Sequence, residues 1–312
     1  MEKENIVLDL DEITFEALVE IVGQRDEHLN MLSEHLGCNV YISNHFIVVD
    51  DPDKREEAAR LVDSLRSIYV LRKKIDKEDV SALLNNGTES AYYKEPVISG
   101  YGNRQFFFRS HGQKNLYDTF MHKDITIVTG PAGSGKTFLA VVYACNMLKK
   151  GLVRKIIITR PVVEAGESLG FLPGDLKEKV DPYLRPIYDS FEAIFGPENV
   201  TRMMERGIIE VAPLAYMRGR TLNDAIVILD EAQNTTNMQI KMFLTRLGFN
   251  SKMIITGDIT QVDLPFSKPS GLLQAIELVK GIDEIAVVEM SKKDIVRHPV
   301  VQKIIEAYEK IG

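Results

Sequence analysis

Tryptophan is absent from the 312 residues, and cysteine occurs only at Cys38 and Cys145. Two thiols so far apart exclude a disulfide framework and a cysteine-ligated zinc site. The six histidines have no metal-ligand spacing. No apolar run approaches the ~20 residues that span a bilayer. The first residues, MEKENIVLDLDE, are acidic where a secretory signal is basic and then apolar. These absences point to an ordinary soluble chain with no membrane partner, and to the cytoplasm as its place. Basic residues are also scarce in one region. The net charge is −7, yet residues 1–70 alone hold 6 Lys/Arg against 16 Asp/Glu, so the rest is slightly basic. The acidic total argues against nonspecific coating of DNA and leaves room for a basic channel in the C-terminal part.

What is present divides into a small unit over 1–70, a connector over 71–110 and a large unit over 111–312. In the first, Ile6 to Leu10 reads as a strand, and Phe15, Leu18, Val19 and Val22 mark a helix over 13–22. Leu29, Leu32 and Leu36 continue the helical period up to Gly37, and Val40–Ile42 and Phe46–Val49 form a hairpin. A charged amphipathic helix follows from Asp53 to Tyr69. The connector holds a short helix near 77–84 and the run Phe106-Phe107-Phe108, which fits either a buried strand or a docking segment. Beyond it lie six short apolar runs: Ile125–Thr129, Lys155–Thr159, Ile208–Val211, Ala225–Leu229, Met253–Thr256 and Ile285–Val288. Such runs suit strands buried on both faces of a mainly parallel, doubly wound α/β sheet.

Gly130-Pro131-Ala132-Gly133-Ser134-Gly135-Lys136-Thr137 fits the phosphate-loop pattern G-x-x-x-x-G-K-[ST]. It follows the strand Ile125–Thr129 and opens the helix Thr137–Leu148, which is the order the motif requires. Glycines let the backbone wrap phosphates closely, and the N–H groups at a helix start attract anions. Lys136 is expected to reach the β- and γ-phosphates of ATP, and Thr137 to ligate Mg²⁺. A second apolar strand, Ala225–Leu229, ends in Asp230-Glu231. Asp230 is expected to hold Mg²⁺ through water as a Walker B aspartate does, and Glu231 to polarise the attacking water as general base. The chain therefore reads as a P-loop ATPase, with Lys136 and Glu231 central to catalysis.

With these pieces placed, the chain closely resembles the PhoH family, named for the phosphate-starvation-inducible protein. The matching segments are 159–167 (TRPVVEAGE), 169–174 (LGFLPG), 181–186 (DPYLRP), 213–221 (PLAYMRGRT), 230–234 (DEAQN), 256–261 (TGDITQ) and 294–299 (DIVRHP). The likeness spans the chain and is most specific from 113 to 308. It implies a RecA-like core similar to the first motor domain of superfamily 1 helicases. By that resemblance Gln113 would read adenine, Asp258 and Gln261 would sense the γ-phosphate, and Gln233 would couple that sensor to the site. Such helicases carry a second motor domain that supplies arginines, and only one fits within 113–312. A neighbouring subunit is therefore expected to donate the cation in a homo-oligomeric ring such as a hexamer, through Arg297 or Arg246.

The same kinship implies RNA or another single-stranded nucleic acid as partner. Arg160, Ser168, Arg218 and Arg220 would hold its phosphates, with Gly166 as a backbone donor and Tyr183 and Tyr216 stacking on bases. The N-terminal unit resembles a KH-like module, but Gly23-Gln24-Arg25-Asp26 has one glycine where the clamp needs two. Its acidity favours assembly or protein docking over RNA binding. Three functions stay open: a nucleic-acid-stimulated ATPase with helicase-like activity, an ATPase switch acting on a protein client in ribosome maturation or RNA metabolism, and, least favoured, a kinase.

Overall fold

A computed structural model describes residues 5–86, 96–161, 176–264 and 269–296, with Val300, Val301, Ile304 and Ala307 of the last segment; side chains are described for all of these except Asn103 and residues 176–183. Two compact units emerge, one from the described residues of 1–95, 107–111 and 293–312, the other from 96–106 and 112–292.

The first unit runs β1 (Ile6–Asp9), α1 (Phe15–Val22), α2 (Glu27–Leu36), β2 (Val40–Ser43), β3 (Phe46–Val49), α3 (Arg55–Arg72) and α4 (Lys77–Asn86). Its antiparallel sheet has the order β1-β3-β2. Thr14 caps α1 by accepting the Ala17 N–H, and Gly37, at φ 72°, ends α2. Ile21, Leu29, Leu32, Ile47, Leu65 and Leu83 fill the core. Leu83 belongs to α4, so the segment just after residue 70 is core of this unit rather than a connector. The aromatic run divides: Phe106 is a strand residue of the second unit, whereas the Phe107 ring lies 3.9 Å under the Arg72 guanidinium in the first. Near Phe107, Arg109 forks onto Asp76 at 3.1 and 3.2 Å, and the buried Arg72 meets Asp79 at 2.7 Å.

The second unit opens with a hairpin, β4 (Ile98–Ser99) and β5 (Gln105–Phe106), and continues α5 (His111–His122), β6 (Ile125–Thr129), α6 (Lys136–Lys149) and β7 (Lys155–Arg160). Next come α7 (Leu176–Phe195), α8 (Pro197–Glu205), β8 (Ile209–Pro213), β9 (Ala225–Leu229), α9 (Asn237–Leu244), β10 (Lys252–Gly257), α10 (Gly271–Val279) and β11 (Ile285–Glu289). The six strands order β11-β6-β10-β9-β7-β8, and every pairing is parallel. All residues of β6 and β9 are buried, as continuous apolar runs require, each large side chain contributing about 1.5–3 kcal/mol. The strand expected over 208–211 runs instead from Ile209 to Pro213. Proline is tolerated there because β8 is an edge strand.

Placing β10 between β6 and β9 decides where a site can form. Gly257 lies level with Thr129, and Ile255 with Leu229. The phosphate loop, the twin acids and the 257–261 turn therefore leave neighbouring strands at one carboxyl edge, where open α/β sheets bind ligands.

Candidate functional site

The phosphate loop turns on three glycines with positive φ, Gly130 at 141°, Gly133 at 85° and Gly135 at 88°. A Cβ on Gly130 would also sit 2.5 Å from the Met290 carbonyl oxygen, so no side chain fits there. Lys136 is buried and donates from Nζ to the carbonyls of Gly130 at 2.6 Å and Pro131 at 2.8 Å, clasping the loop around its own ammonium. The Gln113 amide donates to Ser134 O at 3.2 Å and braces the loop from α5. Beside the loop lies a crevice of about 280 Å³, lined by Lys136, Thr137 and Phe138 on one side and Asp230, Glu231, Asp258 and Gln261 on the other.

Asp230 joins three segments. Its Oδ1 accepts from Thr137 Oγ1 at 2.7 Å and from Thr256 Oγ1 at 2.6 Å. Glu231 follows with φ 54° and ψ 41°, left-handed for a residue with a Cβ. Its Oε2 accepts from Gln233 Nε2 at 2.5 Å, and its Oε1 lies 3.1 Å from Arg160 Nη2. Gln233 Nε2 also donates to the Gln261 carbonyl at 3.1 Å, and its Oε1 accepts the Asp258 N–H at 3.0 Å. One buried amide thus ties Glu231 to the turn after β10. The Asp258 carboxylate accepts the Ala132 N–H at 3.1 Å and the Thr260 hydroxyl at 2.6 Å. Loop, acids and turn form one hydrogen-bonded assembly around the crevice, with an ammonium, a helix start and hard oxygen donors facing it.

A family model described as PhoH-like protein matches residues 107–309. A PhoH-like protein of Bacillus subtilis is 49% identical over 297 residues, 93% of each chain. The chain belongs to the PhoH family. Protein PhoH of Escherichia coli K12 is 40% identical over 256 residues, 81% of this chain and 71% of that protein. Among solved structures, the Pif1 helicase of Candida albicans aligns with 63% of this chain and 42% of its own at 13% identity and a TM-score of 0.34.

In this PhoH-family chain the residues singled out from sequence separate into groups. Gly130, Pro131, Ala132, Gly133, Ser134, Gly135, Lys136, Thr137, Asp230, Glu231, Asp258 and Gln261 meet at the crevice or in the loop that borders it. The Asp258 side chain is turned to the loop's own N–H, and Gln261 reaches Gln233 through its backbone carbonyl. Arg160, sought as a phosphate ligand, contacts Glu231 instead. Arg220 forks onto Glu210 at 2.6 and 2.8 Å, which draws the Glu210 carboxyl below the usual carboxylate range. Arg246 donates to the carbonyls of Met242 and Arg220 and to the Thr245 hydroxyl, so within the chain its guanidinium holds the end of α9. Arg218 and Tyr216 are exposed on the turn after β8. Ser168, Gly166, Arg297 and the Tyr183 side chain lie outside the described residues. Sequence reasoning assigned no role to Thr256, although a hydroxyl ending the apolar run Met253–Ile255 was a signal that it serves the neighbouring acid. Among the described residues no cluster of three or more His, Cys, Asp or Glu is arranged to hold a metal, and no helix is long and apolar enough to cross a membrane.

Proposed function

We propose that this chain binds and hydrolyses ATP with Mg²⁺ and couples turnover to single-stranded nucleic acid, RNA foremost. The observation that carries the reading is the 2.7 Å contact from Thr137 to Asp230, which joins the lysine-bearing loop to the acidic strand end beside the crevice. A hydroxyl and a carboxylate are hard oxygen donors suited to Mg²⁺, which takes few protein ligands and completes its shell with water and phosphate. Thr137 and Asp230 would hold the ion, which supplies charge neutralisation at the β- and γ-phosphates. Lys136 has two loop carbonyls to exchange for phosphate oxygens, and the N-terminus of α6 adds positive potential. Glu231 takes a proton from water as the water oxygen bonds to the γ-phosphorus and the bond to the bridging oxygen breaks, releasing ADP. Gln233, bonded to Glu231 and to the Asp258–Gln261 turn, is placed to make the base respond to that turn. Gln113 remains the proposed adenine reader.

The nucleic-acid part is supported by Arg160, which meets Glu231 at the carboxyl end of β7, and by the exposed Arg218 and Tyr216 on the turn after the neighbouring β8. A homo-oligomer in which Arg297 acts across subunits completes the proposal, and sedimentation of a fully active monomer would contradict that part. A second reading, an ATPase acting on a protein client, is favoured by the acidic first unit with its exposed Phe15 and Val70. ATP turnover with and without single-stranded RNA separates the two. Stimulation supports the first and indifference the second. Turnover surviving Lys136→Ala contradicts both.

A further inference from the structure

The Glu231 carboxylate is gripped on both oxygens by side chains of its own chain, Arg160 on Oε1 and Gln233 on Oε2. Its left-handed backbone is strained for a residue with a Cβ, so the surroundings impose its position. Arg160 is the last residue of β7, and Thr159 before it lies level with Leu229 of β9, two residues ahead of Glu231. The guanidinium therefore reaches the carboxylate across adjacent parallel strand ends. Arg160 and Glu231 are 24% and 35% exposed, so a dissolved anion can reach the pair. On its other side Arg160 lies level with Pro213 of β8, which leads into the turn bearing Tyr216 and Arg218.

We propose that Arg160 is a latch on Glu231, opened by a backbone phosphate of single-stranded nucleic acid. A guanidinium fork suits a carboxylate and a phosphate equally, so the two compete for it. Latched, the carboxylate is turned to the cation. When a phosphate takes the guanidinium, Glu231 is released to accept the proton of the attacking water. Arrival of the polymer and hydrolysis are thereby linked through one side chain that touches the base and not the substrate. Arg160 is a positioning residue, and the inference rests on the proposed function in taking Glu231 as base and nucleic acid as partner.

The test is steady-state ATP turnover of the full chain and of Arg160→Ala, Arg160→Gln and Arg160→Lys, with and without oligouridylate, alongside binding of a fluorescent ATP analogue. Expected for Arg160→Ala is a basal kcat raised about three- to tenfold, a KM near wild type, and a stimulation ratio close to unity. Arg160→Lys should recover part of the stimulation, which a merely structural role would not produce. Should the alanine variant fail to bind the analogue, Arg160→Gln carries the same expectation. A variant whose basal rate is unchanged or lowered and whose stimulation ratio stays at the wild-type value overturns the latch alone. Wild-type chain that hydrolyses no ATP, or hydrolyses it without regard to RNA, overturns the parent reading and the latch with it.

Discussion

At the scale of single residues, Gly257 shows how tightly the site is built. A Cβ there would lie 2.6 Å from Leu272 Cδ2 and 3.1 Å from Gln233 Oε1. Gly257→Ala should therefore displace the amide that holds Glu231, lowering kcat, and destabilise the fold by about 1–3 kcal/mol through overpacking. Paired urea denaturation and ATPase assays check both effects. Glu231→Gln should leave ATP bound and stop turnover, measured as analogue binding against phosphate release. That the phosphate loop and the two acids meet was legible from sequence because each is a short contiguous pattern at the end of an apolar strand. The partners of Arg160, Arg220 and Arg246 were not, because they depend on which strand ends and turns the topology brings side by side.

At the scale of elements, the apolar runs located all six strands of the large sheet: the inner strands, buried on both faces, leave a continuous signature, and the partly buried edge strands β8 and β11 kept enough apolar residues to be read as well. Helices α7 to α10 were harder to place. In α9 the signal was local: Thr236 accepts the Gln239 N–H, and the Gln239 side chain accepts the Thr236 N–H at 2.8 Å, a reciprocal capping box. Gly271 packs so closely that a Cβ would meet the Thr236 carbonyl oxygen at 2.6 Å, joining the start of α10 to that cap. Thr236→Ala should cost about 1 kcal/mol and lower Tm by about 2–4 °C, read by calorimetry. Glu210 and Arg220 tie β8 to the segment after it. Since Arg220 draws the Glu210 carboxyl below its ordinary value, the pair's contribution is present above the unfolded carboxylate pKa, about 4.3. It is lost as pH falls through the lower folded value. Glu210→Gln should thus be less stable than wild type at neutral pH and lose that deficit in acid, as urea midpoints at both pH values would show.

At the scale of the whole molecule, charge and chain path answer different questions. The acidic surplus of the first 70 residues is a property of composition and was plain from the sequence. The membership of the first unit was not, because it gathers α4, residues 107–111 and the described C-terminal residues into one compact unit. Ser110 Oγ donates to the buried Asp294 at 2.6 Å, and Asn85 donates to the Ile295 carbonyl at 3.3 Å, contacts between segments that sequence patterns treat separately. The second unit contains the whole assembly around the crevice, so its nucleotide chemistry can be tested directly on the full chain. The most direct measurement is calorimetric titration of ATP into Glu231→Gln chain, with Mg²⁺ and without it, and into the same chain carrying Lys136→Ala. The account predicts saturable binding that weakens without Mg²⁺ and falls at least about tenfold, or about 1.4 kcal/mol, when the lysine is removed. Binding of equal strength in all three titrations, or none in the first, would contradict it.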